Sequence, residues 1–269
     1  MNLSLIPLLA ALLVSAPQGS VAWAVGDGAN GSAAAKRVAT LIARDRPQRF
    51  LYLGDVYPMG SAAAFRTAYA PVYGRLAART APTPGNHDWG LRAQGYLPYW
   101  HRARRRALPA WYRFRLGGWD VLSLNSEAPH GPRSPQLRWL RRTIGAPGTC
   151  RLAFWHRPRF SAGDVHGDQR DTAPLWDALR GHAALVLNGH EHDLQRFAPR
   201  DGLVEIVAGA GGNGHYALRR RARGLAFGDD AHYGAVRIEL APGWARVALI
   251  SSDGRQLDAT DVACTPLAG

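Results

Sequence analysis

Short apolar runs alternate with amphipathic stretches along this chain. Val21 to Val25 is a continuous apolar run ending in Gly26-Asp27-Gly28, the form of a fully buried strand entering a turn. Ala33 to Arg44 carries Val38, Leu41 and Ile42 at i, i+3, i+4 spacing, which predicts a helix with one buried face. Phe50 to Leu53 predicts a second short strand, again followed by Gly-Asp. Ser134-Pro135 reads as an N-cap with proline at the first helical position, opening a helix with Leu137, Leu140 and Ile144 on one face. Arg151 to Trp155 and Leu185 to Leu187 predict two more buried strands. From Leu203 the pattern is strand-rich, over Val204 to Val207, Gly234 to Leu240 and Trp244 to Ile250.

Strands alternating with helices predict a layered α/β domain. Four of the strands run into polar groups: Asp27, Asp55, His156 and Asn188-Gly189-His190. In such folds the loops beyond the carboxyl ends of the strands converge on one crevice, so side chains far apart in sequence meet there. Neither a repeat nor a long linker interrupts the pattern, and residues 21–269 read as one domain.

Five segments hold candidate ligands: Gly26-Asp27, Gly54-Asp55, Gly85-Asn86-His87-Asp88, Trp155-His156 and Gly189-His190-Glu191-His192. Carboxylate, amide carbonyl and imidazole together suit ions such as Zn, Fe or Mn, whereas an all-oxygen set would suit Ca or Mg. His190 and His192 are two apart, so in an extended segment both lie on one side. A Gly-Asp pair alone is usually a turn, and a histidine after a strand is usually a hydrogen-bonded core residue; the combination of all five carries the signal.

These five blocks, with Gly54-Asp55-Val56-Tyr57 as the second, resemble the calcineurin-like metallophosphoesterases, and within them the purple acid phosphatase-like branch. The resemblance extends from about Val21 to the C-terminus. It implies a four-layer fold, a two-sheet β-sandwich flanked by helices. It also implies two metal ions, Fe with Zn, Mn or a second Fe: Asp27, Asp55 and His192 on the first ion, Asn86, His156 and His190 on the second, and Asp55 bridging. Ala29 stands where most relatives have a histidine, as in the purple acid branch, where a tyrosine compensates. That tyrosine normally follows the second Asp by three residues; here Tyr57 follows by two and Pro58 holds the third position.

The implied reaction is hydrolysis of phosphate monoesters, with paired ions acidifying a bridging water and clamping the phosphoryl oxygens. His87 is expected at the phosphate or leaving group, with Asp88 orienting its ring. His166, in Asp164-Val165-His166-Gly167-Asp168, is a candidate substrate donor or general acid. A phosphodiesterase or nuclease on the same scaffold, or a non-catalytic anion-binding protein retaining the fold, are the alternatives. The Gly-rich loop Gly209 to Tyr216 lacks the lysine of a nucleotide-binding loop, and His215 on it is a weaker pocket candidate. Trp89, Tyr96, Tyr99 and Trp100 read as a pocket wall or as core. Arg102 with Arg104 to Arg106, and Arg219 to Arg221 with Arg223, read as solvated faces.

Of the 269 residues 46% are hydrophobic and 20% charged, which excludes a mostly disordered chain, and collagen-like or coiled-coil repeats are absent from the pattern. The 33 basic against 20 acidic residues give a net charge of +13, with Lys36 the only lysine. This favours anionic partners: a small phosphorylated substrate, with nucleic acid a second class. Leu5 to Val14 is apolar, of signal-peptide length and too short to span a bilayer, and small residues follow it at Ser15-Ala16. Residues 1–20 therefore read as a leader, and the protein as secreted or periplasmic, without stable membrane insertion of the mature domain. Cys150 and Cys264 match no zinc or redox spacing and are candidates for one long-range disulfide. Oligomeric state leaves no trace in the pattern.

Overall fold

The computed structural model describes residues 19–145 and 149–264. The predicted leader lies outside these residues except for Gly19 and Ser20. In chain order the strands are β1 (Ser20–Val25), β2 (Arg49–Tyr52), β3 (Thr80–Pro82), β4 (Tyr112–Leu116), β5 (Trp119–Ser123), β6 (Arg151–Phe154) and β7 (Leu185–Asn188). They continue with β8 (Leu194–Phe197), β9 (Val204–Ala208), β10 (Leu225–Asp229), β11 (Gly234–Ala241), β12 (Trp244–Ser251) and β13 (Gln256–Ala263). One sheet has the order β13-β12-β11-β1-β2-β3 and the other β10-β8-β9-β7-β6-β5-β4. Two mixed sheets flanked by helices make the four-layer sandwich that the resemblance implies.

Alternation along each strand explains the layering. On β1, Ala22 and Ala24 point between the sheets and join Leu51, Leu152, Phe154, Leu185 and Ile206 in one cluster. Trp23 and Val25 point the other way, and pack with Val38, Ile42, Tyr73 and Trp100. On the far side Leu122, Ala153 and Val186 meet Leu137, Leu140 and Trp176. The central strands are thus buried on both faces, which is why they read as unbroken apolar runs. Tyr96 and Trp100 are part of this core rather than a pocket wall.

Both predicted helices form. Ala33–Arg44 is capped by Ser32, whose Oγ accepts from Ala35 N at 3.1 Å. Pro135–Ile144 is capped by Ser134, whose Oγ accepts from Leu137 N at 3.1 Å; each such cap contributes about 1 kcal/mol. Strands β1, β2 and β3 run parallel, as do β5, β6, β7 and β9. Cys150, just before β6, is joined to Cys264, just after β13, by a disulfide with Cα atoms 5.6 Å apart. Among the described residues no helix is long and apolar enough to cross a membrane.

Candidate metal centre

The loops leaving β1, β2, β3, β6 and β7 at their carboxyl ends are sewn together by backbone bonds. Asp27 N donates to Gly54 O at 3.1 Å, Gly26 N to Ala208 O at 2.9 Å, and Gly189 N to His156 O at 3.0 Å. Three of the predicted ligands sit in left-handed backbone: Asp27 at φ 59°, Asp55 at 70° and His190 at 72°. Non-glycine residues hold that conformation only where their surroundings enforce it. Gly54, at φ 105°, admits no side chain, because a Cβ there would lie 2.7 Å from Gly85 N and 2.8 Å from His156 Nδ1.

Two groups of donor atoms face one another. In the first, the Tyr57 hydroxyl lies 2.9 Å from His192 Nε2 and 3.1 Å from Asp27 Oδ1. In the second, His156 Nε2 lies 3.0 Å from Asn86 Oδ1 and 3.1 Å from His190 Nδ1. Asp55 Oδ2 stands between them, 3.4 Å from both the Tyr57 hydroxyl and His156 Nε2. Donors bound at 2.0–2.1 Å to one ion are spaced by about 2.9–3.4 Å for octahedral or tetrahedral angles, so these separations fit a metal. His190 Nε2 is buried with no partner, and ligand atoms of Asp27, Asp55 and His156 all lie within 4.8 Å of one another.

The charges give the same answer. Burial pushes the Asp27 carboxyl well above its ordinary range, only partly offset by His156. Burial also opposes ionisation of Asp55, but the charge of His156 prevails and holds it below its ordinary value. Burial disfavours the His156 imidazolium, yet the Asp55 carboxylate pushes that ring up to about 10. Burial and the nearby His156 hold His190 far below the usual imidazole range. Buried carboxylates are recruiting whatever positive charge is at hand, which is the electrostatics of a cation site.

A sequence model of the calcineurin-like phosphoesterases matches residues 23–194, more than half of the chain. The chain belongs to the calcineurin-like phosphoesterase family. A search of curated proteins gives no match. Among solved structures, this chain is similar to purple acid phosphatase PPD1 from yellow lupin (Lupinus luteus) seeds, at TM-score 0.75 and 15% identity over 91% of its length. The chain spans 54% of that protein. It is similar to GAP50, the anchor in the inner membrane complex of Plasmodium, at TM-score 0.75 and 14% identity, covering 92% of this chain and 90% of that one. A dimetal phosphatase from Danio rerio gives 0.64 and 14% identity, covering 92% and 100%. At such identities the likeness is one of fold.

The structure places Asp88 differently from the expectation that it orients His87. Its carboxylate accepts from Asp55 N at 2.9 Å, Val56 N at 3.0 Å and Gly85 N at 2.9 Å. Loops 54–56 and 85–88 cross there and leave three backbone donors facing inward, so the buried carboxylate is used to close that crossing. Burial pushes Asp88 up to about 7, against the pull of those donors. His87 is instead held by Pro58, whose carbonyl oxygen lies 2.6 Å from Nδ1. A carbonyl only accepts, so Nδ1 carries the proton and Nε2 is turned towards Asp55 Oδ2, 3.9 Å away.

His166 is exposed at the rim, its ring stacked on His190 with centroids 4.0 Å apart. Glu191, which the sequence reading left without a role, fixes that loop: its Oε1 accepts from His166 N at 3.1 Å and Gly167 N at 2.6 Å. Tyr216, also passed over, stacks on His192 at 4.0 Å. His215 stands behind it, with Nδ1 3.0 Å from His192 O and its ring 4.1 Å from that of Tyr233. Of the Gly-rich loop, Tyr216 thus stacks on a candidate ligand while His215 contacts the backbone of the same residue.

Proposed function

We propose that this chain is a metal-dependent phosphatase that hydrolyses phosphate monoesters at a dinuclear centre, in the manner of the purple acid phosphatase-like branch. The observation that carries the reading is the placement of Asp55 Oδ2 at 3.4 Å from both donor groups. Asp27, Tyr57 and His192 would hold one ion, Asn86, His156 and His190 the other, with Asp55 shared. When bound, the ions would supply an acidified water and neutralise charge on the phosphoryl oxygens. His192 is oriented by Gly214, whose carbonyl oxygen lies 2.7 Å from its Nδ1, and His156 by Leu53, whose oxygen lies 2.9 Å from Nδ1. Each ring therefore turns its Nε2 inward.

His87, with Nε2 directed into the open side of the site, is placed to bind the phosphate or protonate the leaving oxygen. His166 closes the opposite edge beside His190. The disulfide supports an exported protein, since such bonds persist in oxidising compartments. Elemental analysis with turnover of an aryl monoester and a bis-aryl diester tests the assignment. Two ions per chain and preference for the monoester are expected. Preference for the diester would instead support the phosphodiesterase alternative, and two ions without turnover the anion-binding one.

A further inference from the structure

We infer that the arginine-lined cavity beside His166 is a second phosphate subsite, so that the substrates are small molecules bearing two phosphate groups, one at the metal centre and one in this cavity. The inference rests on the phosphatase reading for its first half and on separate residues for its second. The cavity measures about 760 Å³ and is lined by Phe160, His166, Arg170, Arg200, Arg219 and Arg223, among others. That is the size of a pocket for a small organic ligand, roughly 300–1,000 Å³. His166 joins it to the site, because the same ring stacks on His190 at 4.0 Å.

Unanswered positive charge lines this cavity, as it does the hollow of Arg49, Arg79 and Arg104 to Arg106, but of the two only this cavity has His166 in its lining. Arg157, Arg196 and Arg237 are paired with Glu127, Asp258 and Asp45 at 2.6–2.9 Å. Among the described residues, none of Arg170, Arg200, Arg219 and Arg223 forms an ion pair with a carboxylate. The one carboxylate of the lining, Asp168, accepts a backbone bond from Ser161 N at 2.9 Å. Four guanidinium groups around one hollow repel one another, and a phosphate that accepts two parallel bonds from each of several arginines removes that cost. Two of the four are already held in place. Arg219 donates to Gly163 O at 2.9 Å, and Arg200 lies over the Phe160 ring at 3.8 Å. Less freedom is then lost on binding.

A small ligand fits better than a nucleic-acid strand. Single strands are held by bases stacking on free aromatic faces. Here Phe160 is occupied, with the Arg159 and Arg200 guanidinium groups over it at 4.4 and 3.8 Å and Trp176 edge-on at 5.1 Å.

The test compares the metal-loaded wild-type chain with the double variant Arg170→Ala/Arg223→Ala, two exposed positions outside the metal site. Calorimetry with inorganic tripolyphosphate and with orthophosphate reads binding. Kinetics with 1,4-butanediol bisphosphate and butyl phosphate read turnover. Charged hydrogen bonds contribute about 1.5–3 kcal/mol, so the variant should bind tripolyphosphate at least about tenfold more weakly, with orthophosphate unchanged. The KM for the bisphosphate should rise in parallel while butyl phosphate kinetics hold. Selective loss of tripolyphosphate binding in a protein that turns over neither ester would retain the subsite and overturn only the phosphatase reading. Equal weakening of both anions, or of neither, would overturn the subsite. Tight binding of a single-stranded oligonucleotide that depends on the same two arginines and excludes tripolyphosphate would overturn it in favour of nucleic acid.

Discussion

The Tyr57 hydroxyl and His192 Nε2 approach to 2.9 Å although 135 residues separate them. The approach is set by the loop after β2. Asp55 turns in left-handed backbone, and Tyr57 N is then held by Ala29 O at 2.9 Å. Ala29 is itself fully buried, so the carbonyl that holds Tyr57 is fixed in the core. A tyrosine two residues after the Asp, rather than three, thereby enters the donor set.

Tyr57→Phe should remove colour more than activity. Burial and the charges of Asp27 and Asp55 hold the hydroxyl far above the ordinary phenol range, so only a strongly charged cation could take its proton. Iron-loaded wild-type protein should show a visible tyrosinate band that is absent from the variant, with turnover reduced by no more than about 10–100-fold, the cost of losing a donor that tunes a metal site without being the nucleophile. Colourless protein with Fe(III) confirmed would exclude Tyr57 as a ligand.

Asp55→Asn should abolish the centre. Its Oδ2 faces both donor groups while Oδ1 accepts from His87 N at 2.9 Å, so one substitution reaches three partners. Bound metal should fall to one ion or none, and turnover by at least about 100-fold, since even outer partners cost 10–100-fold. Two ions and unchanged turnover in a correctly folded variant would remove Asp55 from the assignment.

His87→Ala separates leaving-group chemistry from metal binding. Proton transfer by a positioned side chain contributes about 100- to 10,000-fold. An alkyl leaving oxygen needs that proton and an aryl one scarcely does. The kcat for butyl phosphate should therefore fall by about 100-fold, that for a nitrophenyl ester by much less, and metal content should hold. Equal losses on both esters would assign His87 to phosphate binding instead.

How much was legible follows from where each signal lies. The helices Ala33–Arg44 and Pro135–Ile144 and the buried strands announced themselves because period and caps are local. The hairpin of β4 and β5 is equally local, with Tyr112, Phe114 and Leu116 alternating with arginines before Gly117-Gly118. β3 spans three residues, Thr80–Pro82, and β13 buries little beyond Val262; neither has an apolar period to read. The ligand blocks were legible because each follows a strand. The role of Asp88 was not, since its partners at Asp55 and Val56 come from a loop 32–33 residues earlier. Arg219 and Arg223 read as solvated for the same reason: that they share a cavity with Arg170 and Arg200 is set by the tertiary fold.

Removing the disulfide should lower stability without touching the chemistry. The bridge ties the edge strand β13, paired only with β12, to the start of β6 in the other sheet. It closes a loop of 114 residues, for which the chain-entropy model gives about 4–5 kcal/mol as an upper figure. In a domain of this size that corresponds to a fall in Tm on the order of 10 °C. The loss should be uneven, because β13 has few buried side chains of its own and frays most easily once untethered. Cys150→Ser/Cys264→Ser should therefore show faster amide exchange at β13 first, with exchange in β1, β2 and β7 and the 25 °C turnover unchanged. Thiol counting on denatured, unreduced protein from an oxidising host gives an independent check, for which no free thiol is expected. Two free thiols there, or an unchanged Tm in the double variant, would show that the bridge does not stabilise the protein.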